Sequence, residues 1–126
     1  MVCFLALFHL WQSATDYSVA ATATIPPADD PLQLSVASFH QDMDVNTASA
    51  LVAARRAVQG FAQLPSTSAK TFIYTGNFLN KQVMPFLVSA GMGKSASAHL
   101  MAVASQAYGP KGYKCCLLYT SDAADE

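Results

Sequence analysis

Charged residues are scarce in this sequence. Seven Lys and Arg and eight Asp and Glu occur among its 126 residues, and the basic residues are scattered along the chain. Proteins that bind nucleic acid or an anionic membrane through bulk electrostatics present a basic patch or stripe. We therefore expect neither of these partners.

Cysteines and long apolar runs are also scarce. The three cysteines, Cys3, Cys115 and Cys116, lack the spacing of metal ligands, and adjacent cysteines rarely bridge each other. We predict no disulfide and no metal site. The ten-residue apolar run from Val2 to Trp11 is far shorter than the roughly 20 residues of a transmembrane helix. We expect no membrane span and a cytoplasmic location.

Apolar surface is what the chain does have. Hydrophobic residues make up 52% of the sequence, which is enough for one small domain with a core. We interpret residues 1–16 as an uncertain leader, in which a secretory signal would lack its usual basic start, and residues 17–115 as the folded part. Residues 116–126, CLLYTSDAADE, resemble a translated sequencing adapter, and we interpret them as an artefactual tail.

Turn residues and β-branched runs predict three strands in the folded part. The strands are expected over residues 17–25, over residues 71–75 before Gly76 and Asn77, and from Tyr113 onward. Hydrophobic periodicity predicts two helices between them, over about residues 36–64 and 91–108. Strand, helix, strand, helix, strand is the order that builds a parallel sheet with helices on its faces. The predicted fold class is therefore α/β, a partial doubly wound parallel sheet.

Each predicted helix carries an apolar stripe that should face the interior. The stripe of the first helix is Val36, Phe39, Met43, Ala50, Ala54, Val58 and Phe61. The stripe of the second helix is Met92, Ala96, Leu100, Val103 and Ala107. Asn46 lies within the first stripe, and a buried amide must be hydrogen-bonded. It either ties the helix to a neighbouring loop or presents a polar group to a cleft.

The middle of the chain resembles a known family. The ordered segments DMDVNTASALVAARRAV, KTFIYTGN, GMGKSASAHLM and YGPKGYK resemble the second half of the nucleotide-binding core of short-chain dehydrogenases/reductases. The resemblance covers roughly residues 17–115 and is closest to a divergent subset in which a segment like GMGKSASAH replaces the usual Tyr-x-x-x-Lys. It implies a Rossmann-like sheet, bound NAD or NADP, and hydride transfer to or from a small alcohol or carbonyl substrate.

The resemblance also implies roles for individual residues. Asn46 matches the family's helix Asn, which supports a water and proton relay, and Lys94 matches the Lys that holds the cofactor ribose. Both are candidates for catalysis and for cofactor binding. Ala90 stands where the family has its catalytic Tyr, and alanine cannot donate a proton. The family's serine corresponds to the end of the middle strand, where Thr75 offers a hydroxyl as the third catalytic candidate.

The resemblance also bears on the expected activity and on assembly. The family's glycine-rich pyrophosphate turn has no match in this sequence, so we expect the isolated chain to be inactive. Members of the family commonly pair through their long helices, so the helix over residues 36–64 offers a surface for homo-oligomers.

Two other functions stay open. A non-catalytic dinucleotide sensor or scaffold is consistent with Ala90. The segment GMGKS also matches the end of a phosphate-binding loop, GxxxxGK[ST], which points to a nucleoside triphosphate binder. Val88 stands where that motif needs its first glycine, so the match is incomplete.

Overall fold

The computed structural model describes residues 4–8 and 17–119, with side chains from residue 22 onward. Its main elements are β1 (Phe4–Phe8), β2 (Tyr17–Ala21), α1 (Val36–Met43), α2 (Ser49–Phe61), β3 (Thr71–Gly76), α3 (Val88–Tyr108) and β4 (Lys114–Tyr119). A π-helical turn, Asp44–Ala48, joins α1 to α2 into one long helix. Short 3-10 turns cover Phe78–Asn80, Pro85–Leu87 and Gly109–Lys111.

The strands β3 and β4 form the parallel pair that the sequence predicts. They pair from Thr71 opposite Lys114 to Gly76 opposite Tyr119. Parallel neighbours need a long crossover, and α3 supplies it. The predicted fold class, an α/β fragment with a partial parallel sheet, is confirmed. β4 runs to Tyr119, so it includes the first residues of the segment that we interpreted as a tail.

The strand predicted over residues 17–25 is shorter and has a different neighbour. β2 ends at Ala21 and pairs antiparallel with β1, which lies within the predicted leader. β1 lies beside β3 without joining its hydrogen-bonded ladder. The prediction of one continuous parallel sheet was wrong at this point, because a β-branched run indicates a strand without indicating which strand pairs with it.

The long helix matches its prediction in extent but only partly in its buried face. It runs from Val36 to Phe61 with no break in its helical backbone. Ala50, Ala54 and Phe61 are buried as predicted, whereas Val36 is 70% exposed. The main core lies in α2, α3, β3 and β4, and the first turn of α1 extends beyond it.

Helix α3 buries a different face from the predicted one. It begins at Val88, and Met92 and Val103 are about half-exposed. The prediction was wrong because it ranked positions by hydropathy, whereas the helix approaches its neighbours through small and hydrogen-bonded residues. The buried line consists of Ser89, Gly93, Lys94, Ser97, Met101 and Ala104.

The phosphate-binding loop suggested by GMGKS does not form. Residues 91–95 lie inside α3, which begins at Val88. The backbone amides from Gly93 onward are therefore used in the hydrogen bonds of the helix itself and cannot surround a phosphate group.

The core is built from small residues on α2 and larger ones opposite. Phe61 and Met101 are the largest fully buried apolar side chains, and the Phe61 ring meets Tyr113 edge to face at 5.4 Å. The alanines of α2 let the helix lie close to its neighbours. None of the described helices combines the length and the hydropathy that a membrane crossing requires. The described residues include no cluster of His, Cys, Asp or Glu arranged to hold a metal ion.

Replacing Gly93 with alanine should destabilise the fold. A Cβ atom at residue 93 would lie 2.7 Å from the Asn46 Cβ, closer than real Cβ contacts, so α3 or the π turn would have to shift. We expect Gly93→Ala to lower the free energy of unfolding by about 1–3 kcal/mol in urea denaturation. Gly60→Ala in α2 is the matched control, because its Cβ meets nothing within 4 Å. It should raise stability by up to about 1 kcal/mol, and equal effects at the two positions would contradict the packing argument.

Cys115 should be much less reactive than its neighbour. Burial raises the pKa of the Cys115 thiol, and the adjacent Cys116 raises it further by a smaller amount. A raised pKa means less thiolate at a given pH, and the thiolate is the reactive form. Cys116 is exposed. Peptide mapping after brief iodoacetamide treatment should therefore find Cys116 modified first, with Cys115 labelled at higher pH or after unfolding. In the Cys116→Ser variant, Cys115 should be labelled more slowly in the native protein than in urea. Equal rates of Cys115 labelling in the two conditions would refute its buried placement.

Candidate functional site

Asn46 ties three segments of the chain together. Its side chain is 3% exposed. Its Nδ2 donates to the Thr22 carbonyl at 2.7 Å, and its Oδ1 accepts from the Thr22 amide at 3.3 Å. Its own backbone carbonyl accepts a hydrogen bond from the Ser97 hydroxyl at 2.9 Å. The amide therefore pairs with the extended chain after β2 much as a neighbouring strand would.

Asp42 forms a second junction one helical turn earlier. Its Oδ2 accepts from the Thr24 amide at 2.7 Å and from the Ser89 hydroxyl at 2.6 Å. The carboxyl group is 2% exposed, and Ser89 is fully buried. The spacing of four residues between Asp42 and Asn46 places both on one face of the helix. Together they hold residues 22–24 on one side and α3 on the other, and we name this pair of junctions the polar clamp.

The π turn contributes to the clamp through its geometry. It spans Asp44–Ala48 and contains Asn46. A single π turn inside an α-helix carries an extra residue and disturbs the regular ladder, and such turns are frequent at functional sites. Here the Asn46 carbonyl is reached from outside the helix by Ser97. Hydrophobic periodicity gave no signal for this turn, because one extra residue barely changes the apolar pattern.

A cavity of about 140 Å³ lies beside the clamp. Its walls come from residues 22–25, from the π turn, from the loop after β3 and from the first half of α3. Asn46, Asn77, Ala90 and Lys94 all line it. The cavity brings together two of the three predicted site residues, Asn46 and Lys94, and includes the alanine that replaces the family's tyrosine. Asn46 thus fulfils both roles left open by the sequence, since it ties the helix to a loop and faces a cavity.

Thr75 does not line this cavity. The buried residues of β3 alternate with half-buried ones, and Tyr74 and Gly76 face the helices whereas Thr75 lies on the opposite face. The polar residue at the end of this strand that lines the cavity is Asn77. Its Oδ1 accepts from the Leu79 amide at 3.1 Å and begins the following 3-10 turn. We therefore replace Thr75 with Asn77 as the site candidate on this strand.

Lys94 is buried rather than solvated. It is 7% exposed, and its Nζ lies 3.4 Å from the Tyr74 hydroxyl and 5.3 Å from the centroid of the Tyr74 ring. Among the described residues it has no carboxylate partner. Lysine is almost never fully buried unless it is paired. The cavity lining is almost entirely apolar, so Lys94 reaches the wall with its aliphatic chain while its ammonium lies beside the Tyr74 hydroxyl.

Several residues of the site were missed by the sequence reasoning. Asp42 repeats Asn46 at a spacing of four, and Ser89, Gly93 and Ser97 form a line of small residues at the same spacing. Both patterns are visible in the sequence. A polar residue on an otherwise apolar helix face, matched by small residues on another helix, indicates a close and hydrogen-bonded helix contact.

Comparison with curated proteins finds a relative for most of the chain. The chain is 43% identical over 106 residues to a short chain dehydrogenase/reductase of Cryptosporiopsis sp. (strain 8999). This match covers 82% of the chain and 42% of the relative. The chain thus spans less than half the length of the protein it matches. No protein-family model matches the chain.

The two junctions of the polar clamp should open separately. Asn46→Ala removes both side-chain hydrogen bonds to Thr22 and should lower the free energy of unfolding by about 1–3 kcal/mol. Hydrogen exchange should speed up at the Thr22 amide and remain slow at the Thr24 amide. Asp42→Ala should produce the reverse pattern, because Asp42 holds Thr24. Protection of both amides that is unchanged in either variant would show that the clamp does not hold this segment.

Proposed function

We propose that this chain is part of an NAD(P)-dependent oxidoreductase for a small alcohol or carbonyl, because it is a confirmed relative of the short-chain dehydrogenase/reductase family. One observation supports this proposal most directly. Asn46, Asn77 and Lys94 come from three separate elements and line one cavity. Asn46 and Lys94 are positions that the sequence resemblance associates with catalysis, and Asn77 lies two residues after Thr75, the third such position.

Lys94 is the residue best suited to hold the sugar of a nicotinamide cofactor. A lysine ammonium has three donors, and the described residues give Lys94 one hydrogen-bond partner, the Tyr74 hydroxyl. The resemblance assigns the remaining donors to the hydroxyls of the cofactor ribose. The cofactor supplies hydride chemistry when bound, and the chain supplies position and charge. The described residues contain no glycine-rich turn for the pyrophosphate, so we expect this chain to bind the dinucleotide weakly.

Ala90 sets the expected limit on catalysis. It lines the same cavity four residues before Lys94, so a methyl group lies where the resemblance implies a phenol. General acid catalysis contributes about 10²–10⁴-fold to rates. Asn46 and Asn77 carry amides, which can orient a carbonyl by hydrogen bonding but cannot supply an acidic proton. We therefore expect the isolated chain to show no turnover.

A second function is favoured by the same alanine. A protein that binds the cofactor without a proton donor would act as a dinucleotide sensor or scaffold. Its binding groups would be the same Lys94 and Asn46, so binding alone does not separate the two functions. Turnover separates them. An enzyme would turn over with an acid supplied by another group near the cavity, whereas a sensor would bind the cofactor without turnover.

Cofactor contact can be tested on the chain itself. Saturation-transfer NMR with NADH and NADPH should show contact between the chain and the nicotinamide ribose protons, and Lys94→Ala should remove it. Circular dichroism should confirm that the variant is folded, and Lys111→Ala, at an exposed lysine away from the cavity, is the control. Ribose contact that is absent from the wild-type chain, or equal in Lys94→Ala, would reject the proposed cofactor site.

Turnover is measured separately with a panel of small aldehydes and ketones. We expect no steady change in nicotinamide absorbance, because Ala90 provides no acid. A steady change that Lys94→Ala abolishes would overturn the expected inactivity and exclude the sensor. Ribose contact without turnover in a longer protein that contains this chain would favour the sensor over the enzyme.

A further inference from the structure

The cavity beside Ala90 is small, and its lining is almost entirely apolar. Its volume is about 140 Å³. Leu79, Phe86 and Leu87 line it together with the methyl group of Ala90. An apolar cavity of about 150 Å³ in another protein stays dry and takes up benzene. The cavity of this chain therefore has the size and the lining that suit one apolar ring.

The polar side chains of the cavity wall have hydrogen-bond partners within the protein. Both polar atoms of the Asn46 side chain are bonded to the extended chain after β2, and the Asn77 Oδ1 begins the following 3-10 turn. The Lys94 ammonium lies beside the hydroxyl of Tyr74, which does not line the cavity. A polar group on a ligand would lose its hydrogen bonds to water on entering and gain little in return, which is costly. The cavity therefore favours a ligand without polar atoms.

Two half-exposed side chains mark the place where the cavity meets the surface. Ile25 is 53% exposed and Phe86 is 46% exposed, and both line the cavity. They come from separate segments, the chain after β2 and the 3-10 turn before α3. Neither belongs to the main core, so a ligand can enter beside them without rearranging it.

We infer that this cavity binds a single apolar aromatic ring, which packs against Phe86 and the Ala90 methyl group. An aromatic ring suits the cavity better than an alkyl chain, because Phe86 offers ring-to-ring contact. The ligand class is an unsubstituted phenyl group, either free or at the end of a larger molecule. This inference goes beyond the proposed oxidoreductase, because the ring needs neither cofactor nor turnover to bind.

Toluene and phenol together test the inference. They have nearly the same size, but phenol carries a hydroxyl that is costly to bury without a partner. We would titrate the isotope-labelled 126-residue chain with each compound and follow the amides of Ala23, Leu87 and Ala90 by NMR. These amides should show saturable shifts with toluene, and phenol should bind about tenfold more weakly.

Two results of this titration would overturn the inference. One is phenol binding as tight as toluene binding, and the other is the absence of a saturable shift with toluene. Neither result would bear on cofactor contact, which is measured with NADH and NADPH. Failure of this inference and failure of the proposed function are therefore distinguishable.

Two phenylalanines of equal exposure test the ring contact. Phe86→Ala removes the ring that lines the cavity and should weaken toluene binding about fivefold. Phe78→Ala is the matched control, because Phe78 is 47% exposed and does not line the cavity. It should bind toluene like the wild type. Wild-type toluene affinity in Phe86→Ala, or the same loss in both variants, would overturn the inference.

Filling the cavity tests its location. Ala90→Leu places a branched side chain inside the cavity and should weaken toluene binding about tenfold or more. Ala102→Leu, on an exposed position of the same helix, is the matched control and should bind toluene like the wild type. If Ala90→Leu fails to fold by circular dichroism, Ala90→Val tests the same exclusion with a smaller side chain. Undiminished toluene binding in the folded Ala90 variant would place the site elsewhere and overturn the inference.

Discussion

The polar clamp is the interaction on which the rest of this structure depends. Asp42 and Asn46, one helical turn apart, each join the extended chain after β2 to helix α3, Asp42 through its carboxyl group and Asn46 through its side-chain amide and its backbone carbonyl. Both side chains are almost completely buried. A buried polar group is costly when it loses its partners, so each junction tolerates only the arrangement that satisfies it. Apolar contacts are less directional, and they would allow α3 to slide or rotate against the long helix. The clamp fixes the position of α3 along its axis and its rotation about that axis.

The position of α3 determines what reaches the cavity. Gly93 allows the helix to approach Asn46 closely, because the Asn46 Cβ occupies the space where a side chain at residue 93 would lie. Lys94 follows directly, and Ala90 lies one turn earlier on the same side of α3. A rotation of α3 by one residue would carry Lys94 away from Tyr74 and the cavity. The hydrogen bonds of Ser89 and Ser97 oppose this rotation, because each connects α3 to a buried group on the long helix. Stability and placement of the candidate site therefore have the same physical origin.

The sequence predicts the elements better than it predicts their contacts. The β-branched run of β3 and the glycine and proline after α3 mark their elements clearly, since these signals are local. Strand pairing is not local, and β2 lies beside β1 instead of joining the parallel pair. The buried face of α3 was also missed. A hydropathy argument favours a face with Met92 and Val103. The face that is buried carries serine and glycine instead, because these small residues allow close approach and the serine hydroxyls are hydrogen-bonded.

The candidate site shows the same division between local and tertiary information. Family resemblance picks out Asn46 and Lys94 from short segments, and the structure brings these two together at one cavity. Thr75 was chosen for its hydroxyl, but strand alternation turns it to the other face. The burial of Lys94 could not be predicted either, because a lysine on a helix is normally solvated. It follows from the helix rotation that the clamp fixes, which depends on contacts between residues about 50 positions apart in sequence.

Ala90 separates two properties that are usually found together at such a site. A tyrosine at this position would fill space beside the lysine and also provide a proton. An alanine provides neither, so the space beside the lysine remains part of an apolar cavity. Any acid chemistry at this site would have to come from a group other than residue 90. Residue 90 therefore acts on the function of this chain through the space it leaves.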